Sequence, residues 1–286
     1  MPDFINGTDV RMPQRHGRLE HSLSPAELTV FRSSIGCMQW CSATARADVS
    51  AHCSLLQQSE KDLKVKDLAE AQRVIQYLKM IPEQGYMVRA VDMDQLLLCA
   101  YSDASWGNAP QNKTQAGYLI VITDQQALQR SRPAAVLEWK SHRIKRSVRS
   151  TLAAEANAME ASCDAAYYTG IFISECLAHG YRASKSPDHC LIAVKPVTDC
   201  RSLYDALCKQ VFSTTERRVM VDLASIREII GGGGESDGPH RWVPRALQWA
   251  DGLTKRDPSS SGVVLIPDEA RNLPSRSAAH QPAHSH

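Results

Sequence analysis

The amino-acid sequence predicts a mixed α/β fold, in which a five-stranded sheet is flanked by helices and preceded by a small helical segment. Two observations lead to this prediction. Before residue 85, hydrophobic side chains recur at the spacing of amphipathic helices. After it, three short apolar runs follow one another, and later runs are reached through helical patterns. Successive runs favour an antiparallel meander, whereas runs joined through helices favour parallel strands.

The helical segment is predicted over residues 24–94, after a polar stretch, residues 1–23, that we expect to be a flexible arm. Ser24 can cap a helix, Pro25 suits the first helical position, and Glu27 lies at the capping-box position. Three helices are therefore predicted in this segment: one from Ser24 onward, one over residues 47–57 and one from Val65 to residue 82.

The α/β domain is predicted over residues 95–257. Its long helix follows Ser150 and ends at Gly180. Ser, Pro, His and Ala predominate from Pro258 onward, so we expect residues 258–286 to be a disordered tail. The predicted strands cover residues 96–101, 117–122, 134–139, 191–198 and 241–243. Further helices are predicted over residues 201–210 and 215–230, with a last one that starts near Leu247.

Composition and charge exclude several classes of protein. The formal net charge is only +2, so the whole chain is not a basic nucleic-acid coat, and any such contact must come from local clusters. Nine cysteines without a Cys-x-x-Cys pair indicate reduced thiols rather than a disulfide framework. No apolar run approaches the roughly 20 residues that span a bilayer, and no signal-peptide core is found. We therefore expect an intracellular protein, cytoplasmic or nuclear, without a membrane partner.

Four acidic residues lie where predicted strands end or helices begin: Asp103, Glu155, Asp199 and Asp251. Such positions allow side chains to converge from distant parts of the sequence. Taken singly, each acid is more commonly a helix cap or a solvated charge. Four converging carboxylates would repel one another, and divalent cations such as Mg²⁺ or Mn²⁺ would offset that repulsion. Two such ions, roughly 4 Å apart, can activate a water and stabilise the leaving oxygen of a phosphodiester.

Short motifs surround these acids. Residues 101–106 read Tyr-Ser-Asp-Ala-Ser-Trp, and residues 198–202 read Thr-Asp-Cys-Arg-Ser. A Trp-Lys-Ser triplet, residues 139–141, precedes a helix that begins Ser-Thr-Leu-Ala-Ala-Glu. Residues 248–255 read Gln-Trp-Ala-Asp-Gly-Leu-Thr-Lys, and Gly117 precedes Tyr118 in the second strand. In order and spacing, these motifs together resemble the ribonuclease H domain of copia-type retrotransposon Pol polyproteins.

The resemblance implies a ribonuclease H-like fold and a nuclease that cuts the RNA strand of an RNA–DNA hybrid. It implies that Asp103, Glu155 and Asp199 hold two Mg²⁺ or Mn²⁺ ions, and that Asp251 completes the second-metal site. No small-molecule cofactor is implied.

The resemblance continues upstream of the α/β domain. Residues 28–40 and 71–79 resemble the helical connection that follows the polymerase in these polyproteins. Ala47 departs from the family, which has a proline there. No Tyr-x-Asp-Asp motif occurs, so we expect no polymerase activity. Other parts of a retroelement polyprotein are the expected protein partners.

A basic segment precedes the Glu155 helix and contains Lys140, Arg143, Lys145, Arg146 and Arg149. It can be read as a solvated loop. Because acids are expected beside it, we favour contacts to phosphates, which position a duplex without reading its sequence. Of two further side chains, Trp106 is expected to pack in the core rather than to stack near a substrate, and His240 to be a surface or structural histidine.

Two other functions are compatible with the sequence. One is a catalytically silent remnant of a retroelement that at most binds nucleic acid, which the missing polymerase and the untypical ends of the chain favour. The other is a different enzyme of the same superfamily, such as an integrase or resolvase. That alternative leaves the Trp-Lys-Ser and Ala-Asp-x-x-Thr-Lys motifs without an explanation.

Overall fold

The computed structural model describes residues 2–8, 19–59, 62–86, 88–130, 132–184, 190–209, 216–230 and 240–255. Its helices are α1 (Pro2–Gly7), α2 (Pro25–Thr44), α3 (Ser50–Gln57), α4 (Val65–Met80), α5 (Thr151–Leu177), α6 (Arg201–Cys208) and α7 (Arg217–Ile229). Its strands are β1 (Leu96–Ala109), β2 (Lys113–Asp124), β3 (Ala135–Arg143), β4 (Ala193–Thr198) and β5 (Arg241–Trp242). Among the described residues, no helix has the length and apolar character needed to cross a membrane.

The five strands form one mixed sheet in the order β3-β2-β1-β4-β5. Strands β1, β2 and β3 pair antiparallel, as expected for successive strands. Strands β4 and β5 join in parallel, β4 beside β1 and β5 beside β4, and each follows a helix. The predicted architecture, a mixed five-stranded sheet with flanking helices and a preceding helical segment, is confirmed.

Both faces of the central strands are buried, which explains why they read as continuous apolar runs. On one face, Leu98 and Ala100 pack with Ala166 of α5. On the other, Cys99 and Tyr101 pack with Trp249 and other residues of the C-terminal turns. Because a strand alternates its side chains between the two faces, one apolar run serves both cores.

Strands β1 and β2 are longer than predicted and form a hairpin that continues beyond the apolar runs. Polar residues such as Asp103 and Gln115 therefore lie within strands rather than after them. Apolar patterning marks only the covered part of a strand, so no apolar pattern indicates the extension. The hairpin closes through Gln111 and Asn112, which both have positive φ.

The ends of the chain differ from expectation. Residues 2–7 of the predicted arm form helix α1, and Ile5 is buried among the helices of the helical segment. In place of a helix near Leu247, two single 3₁₀ turns occur, Arg245–Leu247 and Asp251–Leu253. The predicted tail and the glycines at 231–234 lie outside the described residues. The domain boundary at residue 94 stays a prediction.

The helical segment packs against the sheet as well as on itself. Ala47 belongs to the hydrophobic core beneath the sheet, and Trp139 Nε1 of β3 donates a hydrogen bond to the Ser42 carbonyl at 2.8 Å. Next to Ala47, Arg46 and Asp48 form a buried ion pair with Nη2 and Oδ2 2.7 Å apart. Arg46 also donates to the Ile81 carbonyl beyond α4. This pair fixes the connection between α2 and α3 to the end of α4.

Substitution Asp48→Asn should lower the free energy of unfolding by about 3–5 kcal/mol, because it leaves the Arg46 guanidinium buried without a counter-charge. Urea denaturation followed by circular dichroism measures this. The matched control is Asp205→Asn in the exposed Arg201–Asp205 pair, for which we expect a change below about 1 kcal/mol. Equal effects of the two substitutions would contradict a structural role for the buried pair.

Candidate metal centre

Three elements bring acidic side chains together at one end of the central strands of the sheet. Strands β1 and β4 are parallel, with Tyr101 opposite Val197, so Asp103 and Asp199 lie two residues further along adjacent strands. Glu155 comes from the start of α5, where the Ser150 hydroxyl accepts a hydrogen bond from the Ala153 N–H and caps the helix. Parallel pairing and helix capping therefore determine the position of all three acids.

The carboxylates of Asp103, Glu155 and Asp199 converge. One oxygen of each lies within 4.8 Å of the others, and no other such group of His, Cys, Asp or Glu occurs among the described residues. Three carboxylate oxygens at this separation are the ligand type that hard divalent cations prefer. The predicted convergence of these three acids is confirmed.

The electrostatics of the cluster favour a bound cation. Burial, together with the charges of Asp199 and Asp251, raises the pKa of Asp103 to about 6, although a hydrogen bond from Thr254 opposes this shift. Burial, together with the charges of Asp103 and Asp199, raises the pKa of Glu155 well above its usual value. The Oε2 atom of Glu155 is buried without a hydrogen-bond partner. A divalent cation would pair that oxygen and remove the repulsion, so the residues fit a metal.

Asp251 lies beside the cluster but is not one of the three converging acids. It is buried on the Asp251–Leu253 turn, and its Oδ1 forms an ion pair with the ammonium group of Lys255. The Arg245 guanidinium lies 3.7 Å from the same oxygen. The charge of Asp251 raises the pKa of Asp103, which shows that the two carboxylates are electrostatically coupled. Asp251 is thus positioned near the site with protein cations as its partners.

A second layer of contacts holds the C-terminal turn against the sheet. Thr254 Oγ1 donates a hydrogen bond to Asp103 Oδ2, and Ser141 Oγ of β3 donates to the Leu253 carbonyl. Gly117 lies opposite Asp103 on β2, and a Cβ there would come within 2.5 Å of the Leu253 Cβ. The turn can approach the sheet only because residue 117 has no side chain.

Sequence reasoning did not identify Thr254, Ser141 or Gly117 as site residues, although each lies in a motif quoted above. It also missed Gln248, whose Nε2 donates to the Ser102 carbonyl at 3.0 Å and to Asp199 Oδ1 at 3.4 Å. The motifs contain these residues, but only the packing of the turn on the sheet shows which acid each one contacts.

The basic segment divides into exposed and structural members. Arg146 forms an ion pair with buried Asp222 of α7, so its charge serves the packing of α7. Burial, followed by the charges of Lys140 and Lys145, lowers the pKa of His142 in the same segment to about 4. The members with exposed side chains are Lys140, Arg143, Lys145 and Arg149.

Of two further side chains, Trp106 differs from expectation and His240 agrees with it. Trp106 is 52% exposed rather than packed in the core, because it lies on the extension of β1 beyond the covered part of the sheet. Its Nε1 points at the Val148 carbonyl, 3.5 Å away. His240 is a structural histidine, as one of the two expectations had it. It is buried, its ring packs against that of Tyr204 at an interplanar angle of 59°, and it hydrogen-bonds to the Tyr204 carbonyl at 3.2 Å.

Comparison with known proteins finds partial likenesses only. No protein-family model matches the chain, and no curated protein matches it significantly. A ribonuclease H1 isolated from compost by a metagenomic approach is 18% identical, with a TM-score of 0.34 over 56% of this chain and 93% of that one. The prototype foamy virus protease-reverse transcriptase is 15% identical, with a TM-score of 0.32. That match covers 68% of this chain and 22% of the viral chain.

Substitution Gly117→Ala should lower the free energy of unfolding by about 1–3 kcal/mol, because the added Cβ overpacks against Leu253. Urea denaturation measures the effect. The matched control is Gly36→Ala in α2, where a Cβ would meet nothing within 4 Å. There we expect a gain of up to about 1 kcal/mol from helix propensity. A stable Gly117→Ala protein would show that the turn does not depend on this close approach.

Addition of Mg²⁺ should raise the thermal unfolding temperature, because the ion binds the folded cluster and not the unfolded chain. At ten times the dissociation constant, the expected gain is about 1.4 kcal/mol, or several degrees. Protons compete for raised-pKa carboxylates, so the gain should shrink as the pH falls through the Asp103 pKa of about 6. Circular dichroism melts at pH 8 and pH 5 measure both effects. If the unfolding temperature of the Asp103→Asn variant rises by the same amount, the ion binds elsewhere.

Proposed function

We propose that this chain is a metal-dependent endonuclease of the ribonuclease H type, which cleaves the RNA strand of RNA–DNA hybrids and derives from a copia-type retrotransposon polyprotein. The observation that carries the proposal is the convergence of Asp103, Glu155 and Asp199. These residues come from three elements that are far apart in the sequence, and each lies in a motif that resembles that family.

The proposed cofactor is a pair of Mg²⁺ or Mn²⁺ ions. Asp103, Glu155 and Asp199 would hold metal through their converging oxygens. Asp251 would contribute to the second site once its carboxylate binds metal in place of the Lys255 ammonium group. When bound, such ions activate a water and stabilise the leaving oxygen of a phosphodiester. The protein fixes Asp103 through the Thr254 hydroxyl and Asp199 through the Gln248 amide, so the ligands are oriented before metal binds.

The exposed members of the basic segment support a nucleic-acid substrate. Lys140 and Arg143 lie on β3, and Lys145 and Arg149 lie in the loop that leads into the Glu155 helix. We propose that they contact the phosphates of the hybrid and position it at the metal centre, without reading its sequence. Arg146 is the exception, since its guanidinium pairs with Asp222. We propose no role for a small-molecule cofactor or a membrane.

The wild-type protein should cut the labelled RNA strand of an RNA–DNA hybrid in the presence of Mg²⁺ and leave double-stranded DNA of the same sequence intact. Substitutions Asp103→Asn, Glu155→Gln and Asp199→Asn should each reduce the rate by at least about 100-fold, because each removes a proposed metal ligand. The initial rate of RNA cleavage, resolved on a denaturing gel, is the measurement. Asp205→Asn, an acid outside the cluster, is the control.

The same preparation separates the proposal from its alternative. A silent remnant would bind the hybrid at low salt without metal-dependent cleavage. Absence of cleavage by wild type, or equal cleavage by wild type and Asp103→Asn, would overturn the nuclease proposal. The Asp251→Asn variant then tests the second ion: we expect a loss of activity that a higher Mg²⁺ concentration partly restores.

A further inference from the structure

A wide groove, with a volume of about 910 Å³, lies between the helical segment and the end of the sheet that contains the β1–β2 turn and the C-terminal end of β3. We call it the interface groove. Its helical wall contains Ser54, Gln57 and Ser59 at the end of α3 and beyond. Its sheet wall contains Lys113, Arg143 and Lys145. The groove is therefore built jointly by two parts of the chain that the sequence places in separate segments.

The floor of the interface groove is a hydrogen-bond network centred on Gln115, which is fully buried. The Gln115 amide donates to Ser54 Oγ and Ser141 Oγ, both at 2.8 Å, and its carbonyl accepts from Gln58 Nε2 at 2.8 Å. Since both walls contribute to this network, their separation is fixed. Ser141 in turn donates to the Leu253 carbonyl in the turn beside the metal centre. The groove and the acid cluster thus share one rigid support.

The charges in the groove are distributed unequally. Lys113, Arg143 and Lys145 on the sheet wall form no ion pair within the described part of the chain. On the helical side, Glu20 lies 3.2 Å and 2.8 Å from the ammonium groups of Lys64 and Lys66, and Asp62 lies 3.6 Å from that of Lys64. The rest of that wall consists of hydroxyl and amide groups together with Asp67, whose carboxylate accepts a hydrogen bond from the Lys64 backbone N–H. A polyanion with hydrogen-bonding groups along its length is complementary to such a surface.

The groove begins close to the metal centre. Asp103 on β1, Gly117 on β2 and Ser141 on β3 lie opposite one another across the sheet. Two interstrand spacings of roughly 4.8 Å place Ser141 about 10 Å from Asp103 along that row. A phosphate backbone passing over the acid cluster can therefore reach the groove within a few nucleotides.

We propose that the interface groove binds the phosphate backbone of one strand of the nucleic acid, so that the helical segment forms part of the substrate-binding surface. This rests on the proposed function, because it places the strand in continuity with the metal centre. Lys113, which lies outside the basic segment identified from the sequence, becomes a binding residue. Ser59 and its neighbours confine the strand from the opposite side.

The test uses the full chain with Asp103→Asn, in EDTA, so that cleavage does not interfere. Fluorescence anisotropy with an end-labelled RNA–DNA hybrid measures affinity at several KCl concentrations. The double variant Lys113→Ala/Lys145→Ala should reduce the slope of log affinity against log salt by about 2, one for each lost phosphate contact. Arg32→Ala/Lys209→Ala removes the same charge outside the groove and should leave the slope unchanged.

A second variant tests the helical wall without changing charge. Ser59→Trp should obstruct the groove and weaken binding severalfold, whereas Ser33→Trp on exposed α2 should not. Circular dichroism melts confirm that each variant folds. If Lys113→Ala/Lys145→Ala behaves like its control, or if Ser59→Trp binds like Ser33→Trp, the proposal is overturned.

Cleavage by wild type keeps the two proposals distinguishable. If wild type cuts the hybrid but the groove variants bind like their controls, the groove proposal fails and the nuclease stands. If wild type does not cut the hybrid but the groove variants lose affinity, the nuclease fails and the groove stands as a binding surface.

Discussion

The mutual repulsion of three carboxylates held within 4.8 Å is the constraint on which the rest of this structure depends. The backbone imposes the approach: parallel pairing of β1 and β4 fixes Asp103 and Asp199, and the capped start of α5 fixes Glu155. The protein offsets part of the electrostatic cost with the Thr254 hydroxyl and with Lys255, whose charge acts on both Asp103 and Glu155. Burial and the repulsion that remains keep the pKa values of Asp103 and Glu155 raised, and a bound cation would relieve that repulsion.

The helical segment and the sheet support this site together. Helix α3 and the sheet share the Gln115 network, Trp139 hydrogen-bonds back to α2, and Ala47 lies in the core beneath the sheet. A segment that the sequence identifies as a separate connection is thus integrated with the α/β domain by buried polar and apolar contacts.

The sequence was informative where one local rule determines the structure. Apolar runs identify the covered strands, the capping box identifies α2, and positions at predicted strand ends and helix starts identify the three converging acids. The sequence was uninformative where the position of a side chain depends on how distant elements pack. The extension of β1 has polar residues and no apolar signal, so Trp106 was assigned to the core instead of the surface. The ion pair between Lys255 and Asp251 depends on how the last turn folds, which no pattern in its short motif encodes.

The contact between Gly117 and the Leu253 turn also bears on how such a chain can change over evolutionary time. A side chain cannot be added at residue 117 unless the backbone at residue 253 moves away, because the Leu253 carbonyl carbon would lie only 3.1 Å from the new atom. Moving that turn would withdraw Thr254 from Asp103. Positions 117 and 253 should therefore covary among related sequences, and the hairpin and the C-terminal motif should be inherited together rather than exchanged independently by recombination.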